Sequence, residues 1–169
     1  MKKLVLVLAL VFAGIMSANA QWIGGGVGAE VYKGRTAFTI APEFGYNINN
    51  QWAVALGAAY GFVQESYGGI SASANFLYLQ PYVRYVGGTI GKKFSLFLDL
   101  TGDFGLIDAS GWAVNLRPGI AWQATDQFTA AFRFGFAGYD HGLAYDHDGF
   151  YLNCELVAPE IRLYLWLRP

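Results

Sequence analysis

From about residue 36 to residue 167 the chain alternates between apolar and small or polar positions with a period of two, the mark of strands with one apolar face. Over 36–47, Phe38, Ile40, Pro42, Phe44 and Tyr46 share one face, and Ala37, Thr39, Ala41, Glu43 and Gly45 share the other. Over 51–64, Trp52, Val54, Leu56, Ala58, Tyr60 and Phe62 oppose Ala53, Ala55, Gly57, Ala59 and Gly61. The same alternation runs through 72–86, 93–105, 111–123, 127–138 and 150–167, and a weaker glycine-rich stretch, 23–31, offers Ile23, Val27 and Val31. Eight strands are predicted. The turns at 47–51, 87–92 and 124–127 are short and carry Asn, Gly and Asp, residues that tolerate tight backbone reversals. The connections at 64–71, 105–111 and 138–149 are mostly longer. An even number of strands, with short turns at one end and longer loops at the other, predicts an all-β fold, an eight-stranded antiparallel up-and-down transmembrane β-barrel.

A soluble carrier barrel and a membrane barrel differ in which face points outward. Mid-strand charges fall on the small-residue face: Glu43, Arg84, Asp99, Asp103, Arg117, Arg133, Glu160 and Arg162, four of each sign. The opposite face of the same strands carries none and holds most of the bulky residues. An eight-stranded lumen is just wide enough for side chains to fill. Small residues and charges therefore belong inside, and the bulky apolar face belongs in lipid. The apolar-face residue nearest each short turn is aromatic in all six cases, Tyr46, Trp52, Tyr85, Phe94, Trp122 and Phe128, as a girdle at a membrane interface requires. Pro42, Pro81, Pro118 and Pro159 also fall on this outer face. Proline cannot donate to a ladder, and barrel bulges are one accommodation of it.

Composition agrees. Of 169 residues, 54% are hydrophobic, 17% aromatic and only 14% charged, against about 25% charged in soluble domains. Residues 1–20 read as a secretory signal peptide: Lys2 and Lys3, an apolar run from Leu4 to Met16, then Ser17-Ala18-Asn19-Ala20. Cleavage before Gln21 leaves one barrel domain, 21–169. Removing Lys2 and Lys3 takes 11 basic residues to 9 against 12 acidic, a charge of −3 that gives nucleic acid no footing. The lone Cys154 offers no internal disulfide.

These features resemble the small eight-stranded outer-membrane β-barrels of Gram-negative bacteria, the porin-like group that includes the membrane domain of outer-membrane protein A. The resemblance spans 21–169 and rests on Ile40-Ala41-Pro42-Glu43-Phe44-Gly45-Tyr46, on Leu79-Gln80-Pro81-Tyr82-Val83-Arg84-Tyr85 and on the alternating last strand. It implies an outer-membrane location in the cell envelope, with both termini periplasmic. It also implies contact with outer-membrane lipid and lipopolysaccharide, and insertion by the barrel-assembly machinery. Members commonly end in an aromatic residue that this machinery reads, whereas this chain ends Trp166-Leu167-Arg168-Pro169.

The candidate chemistry is sparse. Unpaired charge in a narrow lumen is costly, so the eight lumen charges are expected to pair and fill the barrel as a non-conducting plug. The alternative is a narrow porin-like channel, since rings of charge also select ions. The only histidines lie in the last long loop, as Asp140-His141 and Asp146-His147-Asp148. Asp140, His141, Asp146, His147 and Asp148 suit a divalent metal such as zinc. The resemblance also admits a second alternative, a lipid A-modifying enzyme using His141 or His147 with Ser66, Ser71 or Ser110 as nucleophile. Solvated loop tips commonly have this composition, so no catalytic residue and no cofactor are assigned. The reading is a monomer with a structural or surface-binding role, without turnover, whose outer loops meet a ligand or protein at the cell surface.

Overall fold

The computed structural model describes residues 21–32, 35–67, 70–107, 111–143, 148–153 and 160–167. The expected signal peptide, Cys154 and Pro159 lie outside these residues. Ten strand segments follow in chain order: β1 (Trp22–Tyr32), β2 (Arg35–Asn47), β3 (Trp52–Tyr67), β4 (Ile70–Ile90), β5 (Phe94–Ile107), β6 (Trp112–Gln123), β7 (Phe128–Arg133), β8 (Phe136–His141), β9 (Gly149–Asn153) and β10 (Glu160–Trp166). All pairings are antiparallel between neighbours, and β10 returns to β1 with Trp22 opposite Trp166. β7 and β8 form one stave, both paired to β6, and β9 and β10 form the next. The result is a closed eight-stranded barrel.

Side chains alternate between the two faces along each strand, but the bulge in the seventh stave reverses the parity of β8, so that Phe136, expected on the outer face, lines the lumen instead. Leu96, Leu98, Leu100, Val114, Leu116, Leu163 and Leu165 are exposed on the outer wall, while Glu43, Asp99, Asn115, Arg133 and Arg162 are buried inside. Polar in and apolar out is the arrangement of a barrel whose surroundings are hydrocarbon. The girdle candidates Tyr46, Trp52, Tyr85, Phe94 and Trp122 are exposed on the outer wall at the short-turn end. Phe128 sits half-buried beside them, opposite Leu165. Trp52 and Tyr85 face each other across β3 and β4, with ring centres 4.9 Å apart. Side chains close two of the short turns. Asn49 Oδ1 accepts from the Gln51 and Trp52 amides, and Thr125 Oγ1 accepts from those of Gln127 and Phe128.

Several boundaries depart from the sequence reading. The turn expected at 87–92 is strand as far as Ile90, because a register shift between Val86 and Gly88 lets β4 stay paired with β5. The tight reversal falls at Gly91, whose φ of 64° suits glycine. The loop expected at 64–71 is largely hairpin, with Tyr67 opposite Ile70. The seventh strand is broken: two residues of β6, Arg117 and Pro118, face the three residues 134–136, a bulge that turns on Gly135 at φ 74°.

Three prolines share one device. Each keeps its ladder with the preceding strand and faces a gap or bulge on the following one. Pro42 pairs with Gly25 but falls in a gap towards β3, and Pro81 pairs with Leu56 but falls in a gap towards β5. Pro118 pairs with Leu98 and faces the bulge in the seventh stave. The N–H that proline lacks would have pointed at that following strand.

Candidate functional site

The eight charged positions come from β2, β4, β5, β6, β7 and β10, and the structure joins them into one connected network. Asp99 lies at its centre, with no exposed surface. Arg84 donates to it through Nε at 2.7 Å and Nη2 at 2.9 Å, and Arg133 through Nε at 2.9 Å and Nη2 at 2.7 Å. Three of these four N–H groups meet Oδ2 and one meets Oδ1, so both carboxylate oxygens are engaged. Arg133 Nη1 also lies 3.5 Å from Glu160, which accepts from Arg162 Nε at 2.6 Å and from Arg117 Nη1 at 3.4 Å. Arg162 Nη1 donates to Glu43 at 2.8 Å, and Arg117 Nη2 donates to Asp103 at 3.0 Å.

Neutral side chains complete this layer. Asp103 also accepts from Gln80 Nε2 at 2.7 Å and from Asn115 Nδ2 at 2.8 Å. Arg84 donates to the Tyr164 hydroxyl at 3.1 Å, and its guanidinium carbon lies 4.0 Å from the centre of the Phe97 ring. Arg133 lies 5.0 Å from the Tyr82 ring centre. Planar guanidinium groups suit both bidentate carboxylate bonding and ring stacking. The inward faces of β1 and β3 are small, and this makes room for the layer. A Cβ on Gly57 would touch Glu43, and one on Gly24 would press on Tyr164.

Cavities lie on either side of the layer. The one at the short-turn end has a volume of about 330 Å³ and is bordered by Arg84, Trp22, Tyr164 and Trp166. At the loop end, a cavity of about 250 Å³ is lined by Tyr78, Gln80, Asp103, Arg117, Phe136 and Asp140. Next to it a cavity of about 580 Å³ runs past Gln80, Arg117, Glu160 and Arg162 towards β1. Asp99 and Arg133 stand between the two ends. Sequence reasoning placed the charges on one face but missed the aromatic residues packed with them: Trp22, Tyr82 and Phe97. Their inward parity was a usable signal, overshadowed by the larger aromatic set on the outer face.

The loop residues are less collected. Asp140 is buried on the inward side, where its Oδ1 accepts from the Leu143 amide, whereas its neighbour His141 is exposed on the outer side. Strand alternation separates the two. His141 Nδ1 is 2.7 Å from Asp148 Oδ2, and its ring packs 5.6 Å from Trp112. Asp146, His147 and Ser110 lie outside the described residues. Among the described residues, no three His, Cys, Asp or Glu side chains come together as a metal site would require. Ser66 and Ser71 hydrogen-bond to each other across the β3–β4 hairpin at 2.8 Å. No protein-family model matches the chain, and no curated protein matches it.

Proposed function

We propose that the chain is an integral barrel of a bacterial outer membrane, with a structural or surface-binding role and a lumen sealed against ions. The observation that carries this reading is the connected layer of four carboxylates and four guanidiniums around the fully buried Asp99. An ion crossing that layer would have to displace paired charges in a low-dielectric interior, at a cost of several kcal/mol per separated pair. The outward apolar wall and its aromatic rim support a lipid setting, as does the resemblance to small outer-membrane barrels. In this reading the outer hairpins are contact surfaces rather than a catalytic site.

The test is electrical. Purified protein reconstituted in a planar lipid bilayer is expected to insert without raising steady conductance above the bare membrane. A sustained nanosiemens-scale conductance would refute the seal and favour a narrow channel, with the cavities at the two ends as its vestibules.

A further inference from the structure

We infer that the cavity at the short-turn end binds one small aromatic monocarboxylate, its charged group on Arg84 and its ring among Trp22, Phe97 and Trp166. This inference goes beyond the structural role proposed above and needs only the closed barrel. The inner end of the cavity is a guanidinium with one free edge. Arg84 gives Nε and Nη2 to Asp99, and Nη2 also to the Tyr164 hydroxyl, whereas its Nη1 makes no hydrogen bond. Unlike the sealed Nε of Arg117, this nitrogen keeps accessible surface, and 10% of the Arg84 side chain is exposed. Arg84 borders this cavity and neither of the two at the loop end.

The charge around this edge has one sign. Among the described residues that line the cavity, Arg84 alone is charged. Its one carboxylate partner, Asp99, is shared with Arg133 and has no exposed surface. Two guanidiniums on one carboxylate leave this end of the layer positive. On the short turns at the same end, the exposed Lys92 and Lys93 outnumber Asp126 and draw anions further. The 250 Å³ cavity at the loop end is instead lined by Asp103 and Asp140 beside Arg117, a setting that repels an anion. The walls select a flat body. The Arg84 guanidinium is stacked 4.0 Å from the centre of the Phe97 ring. Trp22 lies edge-on to Tyr164, with ring centres 4.9 Å apart, and Trp166 is held by Nε1 donating to Thr129 Oγ1 at 3.0 Å. Rings fixed in this way offer an aromatic ligand edge and face contacts without further ordering. Asn47, Ser95 and Gln123 add polar groups along the cavity for a ring substituent. Its volume of about 330 Å³ falls at the small end of the range of about 300–1,000 Å³ for small-molecule sites.

Isothermal titration calorimetry of the purified barrel in a nonionic detergent tests this, with 4-hydroxybenzoate as the probe. The expected result is one site per barrel. The amide 4-hydroxybenzamide has the ring without the charge, and acetate has the charge without the ring. Each should bind about tenfold more weakly or worse, the loss expected when a charge-assisted hydrogen bond or an aromatic contact is removed. Ser95, opposite Thr89 and Ala121, lies outside the ion-pair network, so Ser95→Phe fills the cavity and leaves the layer intact. It should weaken 4-hydroxybenzoate by about tenfold or more. Arg84→Met should erase the preference for the acid over the amide, whereas a merely distorted cavity would weaken both and keep the preference. Heat-modifiable gel mobility checks that each variant folds. Equal affinity of the native protein for the acid and the amide, or for the acid and acetate, would overturn the proposal. So would undiminished binding by Ser95→Phe, or no binding of 4-hydroxybenzoate by the native barrel.

Discussion

Replacing Asp99 by Asn keeps the volume at the centre of the lumen and removes the charge that two guanidiniums share. Arg84 would keep the Tyr164 hydroxyl at 3.1 Å and the Phe97 ring at 4.0 Å, contacts that do not cancel its charge. Arg133 would keep Glu160 at 3.5 Å, but Glu160 already serves Arg117 and Arg162. Removing one partner of a buried ion pair costs about 3–5 kcal/mol, and the two stranded arginines place this site at the upper part of that range. That is roughly two to three and a half decades in the folding equilibrium. With a urea slope of about 2 kcal/mol per molar, the unfolding midpoint in lipid vesicles should fall by about 2 M. Replacing the whole cluster (Arg84→Met, Asp99→Leu and Arg133→Met together) should recover most of the loss, since no unpaired charge remains at its centre. Urea titration followed by tryptophan fluorescence measures both. If Asp99→Asn costs less than about 1 kcal/mol, the layer behaves as a hydrated surface pair and the sealed lumen is refuted.

Other outcomes follow from particular contacts. Leu98→Arg puts a charge on the outer wall and should destabilise the bilayer-inserted barrel by about 2–4 kcal/mol in the same titration; no effect would mean that this wall does not face hydrocarbon. Gly45→Ala drives a methyl group into the indole of Trp22 and should cost about 1–3 kcal/mol. Its partner variant Trp22→Ala should make the alanine tolerable, a coupling read from a double-mutant cycle. Gly135→Ala strains the bulge at φ 74° and should cost about 1 kcal/mol or more without changing the gel mobility of the folded form. His141→Ala should change the unfolding free energy by less than about 1 kcal/mol, because the His141 and Asp148 side chains are about half exposed.

Parity made most of the fold legible. Leu98 and Asp99 are neighbours in sequence, and alternation alone sends one to the wall and the other to the lumen. What parity cannot supply is the partner. In the ladder Asp99 stands between Arg84 and Arg117, yet it bonds Arg84 and Arg133 and leaves Arg117 to Asp103 and Glu160. That choice depends on the sheet curving over β6 until Arg133 on β7 reaches Asp99 on β5, a property of the curved sheet rather than of any one strand. The broken seventh stave was hidden for a similar reason. Phe134 continues the alternation in sequence, but its amide turns to the carbonyl of Pro118 at 3.0 Å, and the register slips by one. Phe44, on the apolar face of its strand, is covered by the neighbouring side chains of Ile23 and Leu56, and Leu77 on β4 is likewise covered by Ala58, Tyr60 and Ile107.

The central claim, an apolar wall in lipid around a polar lumen, is tested most directly by nitroxide labels on adjacent faces of β5. Leu98 points outward, and Ser95 borders the cavity at the short-turn end. With Cys154 replaced by Ser and the barrel in vesicles, each position is labelled in turn through a single introduced cysteine. The label's collisions with oxygen, which concentrates in hydrocarbon, and with a water-soluble nickel chelate are then read by paramagnetic resonance. The account predicts high oxygen and negligible nickel accessibility at Leu98, and the reverse balance at Ser95. Nickel reaching the label at Leu98 as readily as the one at Ser95 would contradict it.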